Sequence, residues 1–446
     1  MEDRAVDLPP GPGLLRAVGF VRRPFQFLDA CARRYGDWFT VRAPGLPPYV
    51  FTSAPDAIRD VFSGDPEQLH AGEANAPLAA FMGPHSILLL DGAAHLRERR
   101  LLLPPFHGER MQTYGAAMQE ITDRAIDTWP VGEAFPIHRS FQAITFEVIL
   151  RTVFGFDEGP ALARLRACLS RLFAIFASPS GALIQIPAFQ IELGGWSPWG
   201  RVVRLKREVE EILYAEFARR RAQGTGGRND VLSLLLEARD EQGAAMTDAE
   251  LRDEMLTLLL AGHETTAASL AWVIHRVLAR PDVMTQMTEE LVRVGCEPQR
   301  INDLVYLDAV IKEASRLDPV IPNVGRRLHV PLRIGGRDLP AGPIVAPCIY
   351  LAHRRPDLWP DPERFDPERF VGTRINPVAF FPFGGGTRRC IGAAFATYEM
   401  KIVLARIFSR VTLEPAPGYR ARFVRRSIAF APSEGLPVVV SERMAA

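Results

Sequence analysis

The ten residues Phe383-Gly384-Gly385-Gly386-Thr387-Arg388-Arg389-Cys390-Ile391-Gly392 decide how this 446-residue chain folds. Three consecutive glycines let a backbone turn tightly and approach a flat ligand with no Cβ in between. A single cysteine follows, beside Arg388 and Arg389 and directly ahead of an apolar stripe at helical spacing through Ile391, Phe395, Ile402, Leu404 and Ile407. A thiol at the positive end of a helix and next to two guanidinium groups is expected to have a lowered pKa. A thiolate on a glycine-rich loop is a metal ligand or a nucleophile, whereas a lone cysteine is more usually a small buried hydrophobe.

Upstream, Glu313 and Arg316 lie three apart on a helix predicted to begin near Asn302-Asp303 and to end by Asp318, because Pro319 disfavours the α region for its predecessor. On a surface such a pair is worth only a few tenths of a kcal/mol. Further upstream, Thr247-Asp-Ala-Glu250 reads as a capping box opening a helix that closes at Arg280, before Pro281. At about 1.5 Å per residue that helix spans roughly 50 Å. Its apolar middle is interrupted by Ala261-Gly-His-Glu-Thr-Thr266, which hydrocarbon would tolerate poorly, so a buried helix is expected and not a membrane span. His263-Glu264 opens a zinc-protease pattern, but Ala267 stands where the second histidine is required. A Thr265 hydroxyl bonded back to the Ala261 carbonyl would open the helix locally and admit water. Nearer the N-terminus, residues 38–43 and 49–53 predict a hairpin across a Pro/Gly-rich turn, and short strands recur at 332–350 and after 411.

The composition narrows the function. The 53 basic and 52 acidic side chains nearly cancel, which argues against a nucleic-acid binder or a polybasic membrane-surface protein. With 47% hydrophobic and 24% charged residues the chain is not disordered. The five cysteines are scattered, with no disulfide or zinc spacing, and fit a reducing cytoplasm. Residues 1–7 lack the basic and apolar regions of a signal peptide, so none is expected. No repeat or flexible linker divides the sequence, and residues 1–446 are expected to form a single domain with a helical majority. Lys206, Lys312 and Lys401 are the only lysines, a hint of a GC-rich bacterial source.

The 383–392 segment resembles the haem-thiolate loop of cytochrome P450 monooxygenases. The other family motifs follow in order: Ala261-Gly-His-Glu-Thr-Thr266 is similar to the oxygen-activation motif, Glu313-Ala-Ser-Arg316 to the ExxR motif, Phe365-Asp-Pro-Glu-Arg-Phe370 to the segment whose arginine joins it, and His95-Leu-Arg-Glu-Arg99 to the propionate-binding helix. The resemblance covers essentially the whole chain.

It implies a mainly α fold, a large helical bundle around haem with small β-sheets, and haem b as cofactor. Cys390 would ligate the iron, and Phe383, Gly384, Gly392 and Ala261 would contact the cofactor. His95, Arg99, Arg326 and Arg388 would meet its propionates through charge-assisted bonds. Glu264 and Thr265 would deliver protons as the catalytic pair, which favours O2 over peroxide as oxidant. Glu313, Arg316 and Arg369 would form a buried structural network. The implied reaction inserts one oxygen atom of O2 into a lipophilic small molecule, by hydroxylation or epoxidation of a fatty acid, terpenoid, steroid or polyketide, and the resemblance points to secondary metabolism. No flavin or nicotinamide fingerprint is visible and 56 residues follow Cys390, so electrons are expected from a separate ferredoxin or flavodoxin with its reductase. Arg97, Arg100 and Arg389 are candidates for docking it. No nucleic acid and no membrane anchor are implied, and a monomer is expected. The pocket would draw on residues 71–88, 173–191, 258–265, 320–324 and 427–431, with Asn323, His70 and His85 as candidate polar anchors and 178–199 as a lid. A haem-thiolate sensor, and an enzyme of non-oxygenating rearrangement or dehydration, are the alternatives; neither needs the Glu264-Thr265 pair.

Overall fold

The structure, a computed structural model, describes residues 8–13, 19–20, 23–80, 82–106, 108, 110–177, 190–192 and 196–444. Its helices are α1 (Pro24–Tyr35), α2 (Pro55–Ser63), α3 (Ala71–Ala74), α4 (Gly92–Leu102), α5 (Arg110–Asp127), α6 (Ile137–Ile149), α7 (Pro160–Ala177), α8 (Pro198–Gln223), α9 (Val231–Glu237), α10 (Asp248–Leu278), α11 (Pro281–Val294), α12 (Val305–Leu317), α13 (Ile349–Ala352) and α14 (Ala393–Arg410). The strands are β1 (Trp38–Val41), β2 (Tyr49–Thr52), β3 (Leu69–His70), β4 (Ala134–Pro136), β5 (Arg326–Leu328), β6 (Leu332–Ile334), β7 (Arg337–Leu339), β8 (Ile344–Pro347), β9 (Val411–Pro415), β10 (Phe423–Arg426), β11 (Ala429–Pro432) and β12 (Pro437–Arg443).

Helix α10 is the axis of the molecule. Its capping box forms as expected: the Glu250 N–H donates to Thr247 Oγ1 at 3.2 Å and the Thr247 N–H to Glu250 Oε2 at 2.7 Å. Leu251, Met255, Leu259, Leu270, Ile274 and Val277 are buried, and each buried aliphatic side chain of this size contributes about 1.5–3 kcal/mol. The helix packs on α6, α12, α14 and β11. A Cβ on Gly262 would come within 3.0 Å of Ile149 Cδ1, so the glycine sets the close approach to α6. The helix ends at Leu278, two residues short of expectation, because Arg280 serves as the N-cap of α11, which starts with Pro281. A short 3-10 turn, Ile301–Asp303, precedes α12, which ends before Asp318 as Pro319 requires.

The predicted hairpin is β1 paired antiparallel with β2. It is one side of a five-stranded sheet in the order β1-β2-β8-β5-β3, in which β2 and β8 run parallel. Three smaller sheets, β6-β7, β10-β11 and β4-β12-β9, together with β8 in the large sheet account for the strands expected at 332–350 and after 411. Among the described residues no helix is long and apolar enough to cross a membrane. The expected lid, 178–199, lies largely outside the described residues, as does most of the 173–191 part of the expected pocket.

Candidate active site

Helix α10, the segment before α14, α4 and the five-stranded sheet enclose a cavity of about 760 Å³. Cys390 lines it, and of the five cysteines, all free, it alone is exposed, because its side chain looks into that space. Its N–H donates to the Phe383 carbonyl at 2.9 Å, closing the loop on itself. Phe383, Gly384, Arg388 and Gly392 line the same wall.

Two expectations about this loop need correction. The first concerns the glycines: Gly384, at φ +68°, faces the cavity, but Gly385 and Gly386 serve packing against α2. A Cβ on Gly385 would meet the Phe62 ring at 2.2 Å, and one on Gly386 the Phe62 carbonyl oxygen at 2.0 Å. The second concerns the thiol. Although its sulfur opens onto the cavity, the protein packed around it keeps it from bulk water, and this burial pushes Cys390 up, outweighing the Gly392 backbone N–H and the Arg99 and Arg389 charges that pull it down. Helix α14 begins at Ala393, so Ile391 and Gly392 form an intervening turn, and Arg388 is turned away from the sulfur toward Asp91.

On the adjoining wall His95 and Arg99 of α4, Arg326 of β5 and Arg388 converge. Arg388 donates to Asp91 and the Leu90 carbonyl at 2.5 Å each and to the Ile87 carbonyl at 3.1 Å, yet its buried Nε has no partner. Among the described residues Arg326 reaches only backbone oxygens, of Gly325 at 2.8 Å and Gly385 at 3.5 Å. Burial brings Arg326 and Arg388 down to about 10, joined at Arg326 by the charge of Arg388 and at Arg388 by that of Arg99, with Asp91 pulling both the other way. His95 is held down to about 3 by burial and then by Arg388, Arg99 and Arg326, and its buried Nδ1 is also unpartnered. Of the three guanidinium groups, only Arg388 has a carboxylate partner among the described residues, Asp91. This excess positive charge, with buried donors left open beside a cavity-facing thiol, fits a haem bearing two carboxylates.

The distal wall is one stripe of α10. Thr257, Ala261, Thr265 and Ser269, each four residues apart, all line the cavity. Thr265 Oγ1 donates to the Ala261 carbonyl at 2.5 Å, the back-bond expected, and Ser269 Oγ repeats it on the Thr265 carbonyl at 2.9 Å. Glu264 is about 100° round the helix from Thr265 and does not line the cavity. It turns to α6, where Gln142 Nε2 donates to its Oε2 at 2.8 Å and His138 Nε2 stands 3.6 Å from Oε1. Burial raises the Glu264 carboxyl above its usual range, against the Gln142 bond and the Arg426 charge; Oε1 has no hydrogen bond. The acid and the hydroxyl expected to act together therefore lie on different faces.

Several other expectations are sorted by the geometry. Asn323 lines the cavity, but His85 bonds Asp253 and His70 bonds Glu73, so neither histidine is an anchor. Arg97 is tied to Glu98, Asp240 and Glu250, and Arg100 to Glu241. Arg389 is exposed and has no carboxylate within ion-pair distance among the described residues. Lining residues missed from the sequence come from the N-terminal sheet, such as Val41, Leu46 and Tyr49, and from Arg425 on β10. Arg425 stacks 5.4 Å over the Phe430 ring without an acidic partner among the described residues. The alternation of β2 was the only signal that could have singled out Tyr49, and it does not say what the strand faces.

The chain matches the cytochrome P450 family over residues 8–434. It is 40% identical over 440 residues to a Mycobacterium tuberculosis protein carrying the name cytochrome P450 135B1, covering 98% of this chain and 92% of that one. It is 37% identical over 443 residues to that organism's cytochrome P450 138, covering 98% and 97%. Among solved structures, retinoic acid-bound cyanobacterial CYP120A1 is similar with a TM-score of 0.83 at 26% identity, covering 99% of this chain and 100% of that one. A cytochrome P450DA heme domain shares the fold at the same TM-score and 22% identity. With these relatives and this cavity, the chain belongs to the cytochrome P450 family, as a haem-iron monooxygenase of the oxidoreductase class.

Proposed function

We propose that Cys390 ligates the iron of haem b, that Arg99, Arg326, Arg388 and His95 hold the cofactor's carboxylates, and that Phe383, Gly384, Gly392 and Ala261 contact its ring. The reaction is insertion of one oxygen atom of O2 into a lipophilic small molecule carrying an acidic group, by hydroxylation or epoxidation. The observation that carries this reading is the cavity in which a thiol, an unsaturated cationic wall and a largely apolar wall meet, the last with a guanidinium, Arg425, that has no acidic partner among the described residues. When bound, the haem supplies the redox-active iron at which O2 is activated.

The chain's own residues do the rest. The Gly392 N–H and the Arg99 and Arg389 charges favour the thiolate, offsetting part of its burial. Thr265 donates its hydroxyl hydrogen bond to the Ala261 carbonyl, leaving its oxygen lone pairs to accept from a water in the cavity. Glu264 is the proton store, because burial keeps its carboxyl protonated further up the pH scale, and release from Gln142 frees it to exchange with that water. Arg425 orients the acidic end of the substrate, and Leu78, Leu88 and Val320 cover its apolar body and exclude water. The similar cyanobacterial structure is bound to retinoic acid, itself a lipophilic carboxylic acid. Electrons come from a separate ferredoxin or flavodoxin, for which Arg389 is the docking cation. Residues 1–446 act as one catalytic domain in the cytoplasm, where five free cysteines are at home.

Titration of lipophilic acids and their methyl esters, followed by the low-spin to high-spin shift, tests the substrate class. Acids should bind about tenfold or more tightly than esters, and Arg425→Gln should remove the preference. Equal binding of acid and ester would contradict it. Thr265→Ala should lower product formed per electron pair several-fold, with thermal stability unchanged; undiminished coupling would remove Thr265 from the relay.

A further inference from the structure

Outside the cavity, the edge of the five-stranded sheet gathers His70, Glu73 and His329. His70 ends β3, Glu73 lies on α3 immediately after it, and His329 follows β5. The antiparallel β3-β5 pairing, Leu69 opposite Leu328 and His70 opposite Arg327, brings the two histidines side by side. One ligating atom from each of the three residues lies within 4.8 Å of the others. Both ring nitrogens converge on the same carboxylate oxygen, His70 Nδ1 at 3.0 Å and His329 Nε2 at 2.5 Å from Glu73 Oε1. The two ring centroids are 3.7 Å apart, with the planes tilted 31° to each other.

His70 is over-committed in this arrangement. Its other nitrogen, Nε2, lies 3.1 Å from the Glu67 carbonyl oxygen. Both partners only accept, and a neutral imidazole has one N–H to give. Protonating the ring satisfies both, but places a cation 3.7 Å from His329, which also donates to Glu73, and near Arg327, whose Nη1 is 3.0 Å from Glu73 Oε2. A metal ion resolves the conflict differently: Nδ1 turns its lone pair to the metal, and Nε2–H donates to the Glu67 carbonyl, the outer bond that usually fixes a metal-bound histidine.

We propose that His70, Glu73 and His329 form a binding site for a divalent transition cation of zinc-like ligand preference, with water completing the coordination. Asp91 is not the fourth ligand, although its Oδ2 is 3.8 Å from His70 Nδ1. Its oxygens already accept from the Gly72 and Glu73 N–H groups and from Arg388. Through that carboxylate the site is continuous with the cationic wall of the cavity, and an ion there braces β3 and α3 against β5, which carries Arg326. The ligands are reached from solvent, since His329 is 41% and Glu73 35% exposed.

The test is calorimetric titration of the haem-loaded full-length protein with zinc chloride near neutral pH, with thermal melts alongside. One equivalent of zinc should bind and raise the melting temperature. His329→Ala, at an exposed loop position, and Glu73→Gln should each weaken binding by at least about tenfold and abolish the melting shift, while zinc-free melts stay at the wild-type temperature. His85→Ala, at a histidine elsewhere, should leave zinc binding unchanged. Failure of the wild type to take up zinc, or uptake undiminished in both His329→Ala and Glu73→Gln, would overturn the site.

Discussion

Two sets of buried arginines differ in how completely they are answered. Arg316 is saturated: its Nε and Nη2 meet the two Glu313 oxygens at 2.7 and 2.8 Å, and the carbonyls of His353, Pro362 and Arg364 take the remaining donors at 2.8, 2.7 and 3.2 Å. Arg369 adds its charge 3.5 Å from Glu313, with its buried Nε making no hydrogen bond, and the Asp366 N–H donates to the same carboxylate at 2.9 Å. Around Arg326, Arg388, Arg99 and His95 the one carboxylate paired among the described residues is Asp91, bonded to Arg388, and Arg388 Nε and His95 Nδ1 are left open. Both sets bear the cost of desolvation. A guanidinium closed by its own carboxylate and carbonyls, as Arg316 is, holds the fold by itself, whereas surplus cations on a cavity wall mark where anionic groups belong.

The comparison breaks most visibly at Arg316→Ala, which strands a fully buried Glu313. Losing one partner of such a pair costs about 3–5 kcal/mol. Denaturant unfolding should show this loss with and without haem; a loss confined to the haem-loaded protein would put Arg316 among the cofactor's residues instead. The second effect is smaller and opposite in kind. Arg326→Leu should leave the haem-free chain as stable as wild type or more so, because an unanswered cation is removed. Haem transfer to an acceptor globin should quicken about 10–100-fold, the equivalent of a charge-assisted bond of about 1.5–3 kcal/mol. A haem-free chain destabilised as severely as Arg316→Ala would erase the distinction.

The smallest effect sharpens the closed set through pH. The Phe381 N–H donates to His353 Nε2 at 2.9 Å, so this ring must stay neutral. Burial, then the Arg316 charge, holds it down to about 3. The unfolded chain, with its histidine near 6.5, takes up the proton first. Stability is therefore full above about 6.5 and falls as pH drops toward 3. His353→Gln, which keeps an acceptor for Phe381, should flatten urea-derived stability against pH by up to about 1 kcal/mol per unit. The flattening is partial, because His95, His138 and His263, held down to about 3, 4 and 4, slope the same way. An unchanged slope would remove His353 from the network's acid sensitivity.

The closed set was legible from Glu313 and Arg316 at helical spacing, and so were the α10 capping box, the Thr265 back-bond and the loop that presents Cys390. These are local features, set by side chains within four residues of one another. What escaped depends on distant segments. Glu264 sits in a helix buried nearly all round, where no apolar stripe says which face looks into a cavity and which toward Gln142. The thiol was expected to be acidic from its neighbouring arginines, but how deeply Cys390 lies is decided by α4, α10 and the sheet. Arg97 read as a free surface cation until Asp240 and Glu250, more than 140 residues away, closed on it. Gly385 and Gly386 read as ligand-facing, although the surface they meet is Phe62.

The claim on which all of this rests is that Cys390 is the proximal ligand of the haem iron. The measurement that bears on it most directly is the absorption spectrum of the freshly purified, dithionite-reduced protein under carbon monoxide, beside that of Cys390→Ala. The account predicts a strongly red-shifted Soret band in the wild type and none in the variant. A wild-type band at the ordinary histidine-ligated or free-haem position, or a red-shifted band that survives Cys390→Ala, would contradict it.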